Sequence, residues 1–161
     1  MKNLNKIELN YKTKVFKLAD EFKISRVSKK FVKVVDIFLN CGATYGIGEC
    51  VPYPRYNESL EDILEYLKKN KSKIEKIVEN KNIQQIPFLC LQNALSSAVL
   101  DMELKNNKVD FLKSNQIKKR FATSITIPIF NLKKTEKILK KFTKTKIIKI
   151  KLDQNEVIPK L

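Results

Sequence analysis

The chain has 161 residues, 43% of them hydrophobic, with 33 Lys and Arg against 17 Asp and Glu, a formal net charge of +16, and no histidine. That length fits one domain, or one and part of another, and the apolar content supports a packed core rather than global disorder. Histidine-based catalysis and histidine metal sites are excluded within it, and no apolar run approaches the roughly 20 residues of a membrane span. The start, Met1-Lys2-Asn3-Leu4-Asn5-Lys6, lacks the apolar region of a secretory signal. Cys41, Cys50 and Cys90 have no metal-ligand spacing, so they predict reduced thiols in a cytoplasmic protein.

Residues 4–17 alternate polar and apolar positions (Ile7, Leu9, Tyr11, Val15) and predict a first strand. Phe22 to Arg26 follows, then a polar turn over Val27–Lys30. Phe31 to Leu39 predicts a second strand and Thr44 to Cys50 a third, joined through Asn40-Cys41-Gly42. Strands connected this closely form an antiparallel meander.

Val51 to Ser59 predicts an ordered loop, stiffened by Pro52 and Pro54 and crowded by Tyr53, Arg55 and Tyr56. Ser59 predicts a helix cap, with Asp62 three residues on and a break near Asn70. Phe88 to Lys105 predicts a second helix whose Ala94, Ser97 and Ala98 allow close packing, ending at Asn106-Asn107. The polar, basic stretch 107–120 predicts a linker. Thr123–Ile129 reads as a strand with Pro128 in its interior, 131–143 as a basic amphipathic helix, and Ile147–Leu152 as a strand. Strand, helix and strand at this spacing predict a βαβ unit and a parallel pair, and Val157–Leu161 predicts the start of a further helix. One βαβ unit makes no complete sheet, so the pattern implies the opening of an α/β barrel, a fold of about 250 residues.

The last strand carries Lys149 and Lys151 at i and i+2, on one face. Two ammonium groups held together disfavour double protonation, the condition under which a lysine serves as a general base. In a lysine-rich chain the same pair also fits a solvated strand edge.

Four stretches, in fixed order, resemble the enolase superfamily, and within its muconate-lactonizing branch the dipeptide epimerases. Phe22 to Ser28 is similar to the substrate-covering loop. Gly48-Glu49-Cys50-Val51-Pro52-Tyr53-Pro54-Arg55-Tyr56-Asn57-Glu58-Ser59 is similar to a family stretch of the form GECxPYPRYGES, with Asn57 in place of the glycine. Asn93 to Lys105 is similar to the helix closing the N-terminal domain, and Lys146 to Leu152 to the KxK strand. The resemblance spans about residues 15–153, with a poor match over 106–120. It implies an α+β fold: an enolase N-terminal-like capping domain over 1–106, of a three-stranded antiparallel meander plus helices, a linker over 107–120, and over 121–161 the first βαβ of a truncated TIM-type barrel.

The resemblance implies removal of the proton α to a carboxylate, with the enediolate held on Mg²⁺. Lys151 would be the base on one face of the substrate, and Lys149 beside it would polarise the carboxylate. Arg26 would bind a terminal glutamate side chain through its fork, Thr126 would line the dipeptide pocket, and Tyr53, Arg55 and Tyr56 would shape or close it. Arg55 and the tyrosines also fit a purely structural role in the proline loop. Glu49 and Glu58 read as structural hydrogen-bonding groups. The family's metal-binding carboxylates and second lysine fall on later barrel strands, so these residues predict no metal ligands of their own and no turnover by this segment alone. The expected partners are a dipeptide, the missing C-terminal barrel segment or a complementary chain, and a possible second copy of the chain.

Another racemase or cycloisomerase of the superfamily is the near alternative. A basic, non-catalytic module for nucleic acid or an acidic partner is a second. Against nucleic acid stands the arginine count, three (Arg26, Arg55 and Arg120), since base and phosphate readers favour the guanidinium fork. Residues 106–161 hold 15 bases and 4 acids, a net of +11 that acidic residues elsewhere could offset. A remnant folding only as the capping domain is a third.

Overall fold

A computed structural model describes residues 6–25, 27–107 and 121–152. The elements are β1 (Glu8–Ile24), β2 (Val27–Cys41), β3 (Thr44–Cys50), α1 (Leu60–Glu79), α2 (Leu89–Asn106), β4 (Ser124–Ile127), α3 (Leu132–Lys141) and β5 (Ile147–Ile150). They form two compact units, one of residues 1–16 and 33–116, the other of 17–32 and 117–161.

The first unit is built on a three-stranded sheet in the order β1-β2-β3. β2 and β3 are antiparallel, with Ile37 opposite Gly48 and Leu39 opposite Gly46. Leu9, Ile37 and Leu39 of the sheet share a core with Ile63, Leu67 and Ile74 of α1 and Leu91 and Leu95 of α2, all fully buried. The expected meander and both helices are present. α1 starts where the sequence says it should, because the Ser59 hydroxyl accepts the Asp62 amide at 3.0 Å. Its break at Asn70 is also present: the backbone there is non-helical, and the Asn70 side-chain amide donates to the Tyr66 carbonyl at 3.1 Å.

The hairpin differs from expectation. β1 runs on to Ile24 and β2 already begins at Val27, so the predicted polar turn over 27–30 is strand. Alternation marks a strand that has one face on a core. Leu18, Phe22, Ile24 and Val27 are half-buried while Val15, Phe16 and Phe31 are exposed, so ladder bonds carry the strands across the polar stretch 27–30 where apolar alternation gives out.

α2 lies on β3 through Gly46, Gly48, Ala94 and Ala98. A Cβ on Gly48 would stand 1.9 Å from the Ala94 carbonyl oxygen, and one on Gly46 1.8 Å from that of Ala98. Ser97, expected in the same contact, faces solvent. The Asp101 carboxylate fixes the register, accepting the Ile47 amide at 2.9 Å and the Lys105 ammonium at 2.6 Å. The Lys105 hydrogen bond, with the Ile47 amide, holds the Asp101 carboxyl below its usual 3.8. A depressed folded value stabilises the fold above the unfolded value and loses that contribution as pH falls through the folded one. The stability of this unit therefore falls as pH drops below about 3.8, and Asp101→Asn flattens that part of the acid limb in urea titrations at stepped pH.

Two carboxylates of α1 take up the first amides of the sheet: Glu75 accepts Leu9 N–H and Glu79 accepts Ile7 N–H, each at 3.0 Å. Glu75 is buried. Glu75→Ala leaves the Leu9 amide without its partner in the core, and chemical denaturation should report a loss of about 1–3 kcal/mol.

In the second unit β4 and β5 form a parallel pair, as the βαβ spacing predicts. α3 is capped by Asn131, whose side-chain oxygen accepts the Lys134 amide at 3.0 Å. Pro128, read as interior to the strand, lies just beyond it. β4 ends at Ile127, so the missing proline N–H falls outside the ladder. The predicted linker, apart from Asn107, and the predicted helix start at Val157 lie outside the described residues.

Candidate active site

Parallel pairing sets Thr126 opposite Lys149, one step from the C-terminal end of each strand. Lys151 follows just past β5, and its amide donates to the Ile127 carbonyl at 2.9 Å, continuing the ladder. Strand alternation places Thr126, Lys149 and Lys151 on one face and Ile125, Ile127, Ile148 and Ile150 on the other. Ile127 is buried, whereas Ile147, Ile148 and Ile150 are 39–49% exposed. Thr126 and Lys149 are solvent-exposed and Lys151 is half-buried.

The tip of the β1–β2 hairpin joins the same end of this pair. Ile129, two residues beyond β4, donates its amide to the Lys23 carbonyl at 2.9 Å. Lys134 of α3 forms an ion pair with Asp20 of β1 and lies 4.1 Å from the centre of the Phe130 ring. Ser28 donates to the Glu21 carboxylate across the hairpin. The stretch expected to cover a substrate is thus tethered at the C-terminal end of β4, the end that carries Thr126. Arg26, between Ser25 and Val27, lies outside the described residues. Neither the Lys23–Ile129 tether nor the Asp20–Lys134 pair had a sequence signal, since each joins residues more than a hundred positions apart.

Tyr53, Arg55 and Tyr56 belong to the other unit. Residues Pro54–Tyr56 form a single turn, and the Tyr53 and Tyr56 rings are 5.8 Å apart. Arg55 is exposed, while both tyrosines line an open cavity of about 430 Å³ with Glu49, Glu58 and Cys90. Glu58 is buried and accepts the Cys90 amide at 3.0 Å, the structural role read for it.

Asn57 closes the turn with φ 56° and ψ 38°, left-handed geometry that glycine adopts freely and asparagine tolerates. The substitution of asparagine for the motif's glycine therefore keeps the backbone path. Asn57→Gly should leave the melting temperature near its starting value, and Asn57→Ala should lower stability by about 1–2 kcal/mol.

Among the described residues no three Cys, Asp or Glu side chains are grouped to hold a metal ion. The residues at this site therefore do not fit Mg²⁺ by themselves. No described helix is long and apolar enough to cross a membrane.

No family model matches the chain. A curated relative, the L-Ala-D/L-Glu epimerase of Escherichia coli K12, is 32% identical over 88 residues, which are 54% of this chain and 27% of that protein. An enolase-family structure from Agrobacterium tumefaciens, described as homologous to dipeptide epimerases and bound to sodium and L-Ala-L-Glu, superposes with a TM-score of 0.77 at 26% identity. That match covers 90% of this chain and 45% of the other. The dipeptide epimerase of Enterococcus faecalis V583, bound to Mg and L-Leu-L-Tyr, has the same fold, with a TM-score of 0.78 at 18% identity over 92% of this chain and 46% of its own. The chain thus spans less than half the length of each of these relatives. By sequence and by fold it is similar to the N-terminal part of the dipeptide epimerases of the enolase superfamily.

Proposed function

We propose that residues 1–161 supply the capping domain, over 1–106, and the first barrel strands, over 121–161, of a cytoplasmic dipeptide epimerase. The observation that carries this reading is the common face of Thr126, Lys149 and Lys151 beside a tethered hairpin tip. The substrate is a dipeptide with an acidic C-terminal residue, of the L-Ala-D/L-Glu type. Lys151 takes the proton from the α-carbon of that residue, and the electron pair moves onto its carboxylate. Lys149 donates to the carboxylate as negative charge builds there. Thr126 lines the pocket, Arg26 receives the acidic side chain, and Tyr53, Arg55 and Tyr56 shape the cover.

Inversion needs a second base on the opposite face and a partner for the enediolate, Mg²⁺ in the family pattern. We place both outside residues 1–161. The segment alone is then inactive, and the exposed isoleucines of β5 are the seam for the rest of the barrel.

The coding sequence beyond the Leu161 codon should be read first, and the continuous frame expressed. An in-frame continuation with spaced Asp/Glu/Asp ligands and a later lysine, giving Mg²⁺-dependent deuterium uptake at the glutamate α-carbon of L-Ala-L-Glu, supports the reading. If the sequence stops there, the segment should be co-expressed with the barrel remainder of the Agrobacterium relative. No uptake from either protein removes the assignment.

A further inference from the structure

We propose that Cys50 and Cys90 form an oxidisable pair that closes into a disulfide, clasping the end of β3 to the first turn of α2. Their sulfur atoms are 3.1 Å apart, close enough for one thiol to donate to the other. Both are reduced. A disulfide needs about 2.05 Å between sulfurs, and small side-chain rotations supply the remaining approach because both sulfurs already face one another. The flanking backbones are held, since Gly46 and Gly48 seat β3 against the Ala94 and Ala98 carbonyls.

Access sets the order of events. Cys50 has 0% exposure, whereas Cys90 is half-buried and lines the open cavity with Glu49, Tyr53 and Tyr56. With a small disulfide such as oxidised glutathione, the Cys90 thiol gives its proton to water and its thiolate attacks one glutathione sulfur. One glutathione thiolate leaves and takes up a proton. The Cys50 sulfur, losing its proton, then attacks Cys90 Sγ and expels the second glutathione as thiol. Two protein thiols are oxidised by two electrons, and one glutathione disulfide is reduced to two thiols. Burial, first, and the Glu58 carboxylate push both thiols upward, although the Cys50 contact itself pulls Cys90 down. The pair is therefore slow to react and answers to sustained oxidant. The pair lies within the first unit and is independent of the proposed chemistry.

The full chain should be held with oxidised glutathione, alkylated, and cut under non-reducing conditions with a glutamyl endopeptidase. Cleavage after Glu49, Glu58 and Glu79 separates the three cysteines. The expected product has lost two hydrogens, carries no glutathione, joins the Cys50 and Cys90 peptides and leaves Cys41 alkylated. In urea the product should shift to Cys41–Cys50, the pair closing the shortest loop. The clasp closes a loop between positions 40 apart, so the melting midpoint of the first unit should rise by about 10–20 °C on oxidation. Cys41→Ser should keep the bond and the shift, and Cys90→Ser should lose both. The proposal is overturned if both thiols stay alkylatable, if Cys90 stops at the glutathione adduct, or if buffer and urea give the same mixture of pairs.

Discussion

Gly48→Ala is expected to shift the unfolding transition of the first unit by about 3 kcal/mol or more, read as a lower urea midpoint at unchanged slope. The added Cβ would stand 1.9 Å from the Ala94 carbonyl oxygen and 2.8 Å from the carbonyl carbon. Both are backbone atoms in the middle of α2, so no side-chain rotation relieves the contact. Helix and sheet must separate, and the seal over Leu91, Leu95, Ile37 and Leu39 opens with them. Gly46→Ala meets the Ala98 carbonyl oxygen at 1.8 Å and should behave the same way. A midpoint within experimental error of the parent would show that α2 can lift from β3 at little cost, and would contradict the packing described.

Lys151→Met, made in the protein completed with its barrel, should reduce α-deuterium uptake by about 10³-fold, within the range that a positioned general base contributes. The methionine keeps most of the side chain's length and apolar stem, so the melting temperature should stay within a degree or two. Lys151→Arg should not rescue, because a guanidinium does not give up its proton. Lys149→Met should also lower the rate, by loss of a donor to the carboxylate, with about 10²-fold a fair expectation. Uptake within threefold of the parent for Lys151→Met would return the lysine pair to the solvated edge that its abundance in this chain also fits.

Local physics made much of the fold legible. The Ser59 hydroxyl caps α1 and Asn70 breaks it, each acting within four residues. The spacing of β4, α3 and β5 admits only a crossover connection, so the parallel pair was readable before any contact was known. Lys149 and Lys151 share a face because strands alternate with period two, and the glycine-to-asparagine change at 57 keeps a left-handed turn that either residue can adopt.

Four features depended on residues distant in sequence. The hairpin tip is strand through the polar stretch 27–30, since ladder bonds between neighbouring strands leave no mark on hydrophobic periodicity. The Lys23 carbonyl meets the Ile129 amide, and Asp20 meets Lys134, only once the chain has returned to the hairpin tip. Glu75, one charge among many on a basic chain, becomes the partner of the Leu9 amide when α1 packs on the sheet. Cys50 and Cys90, without any spacing that links them, come to 3.1 Å because glycines let α2 sit directly on β3. Sequence by itself determined the type and order of the elements, since caps, turns and periodicity act over a few residues. Tertiary structure alone decided which distant groups meet, since an amide, a carboxylate or a thiol acquires its role from the neighbour that packing brings to it.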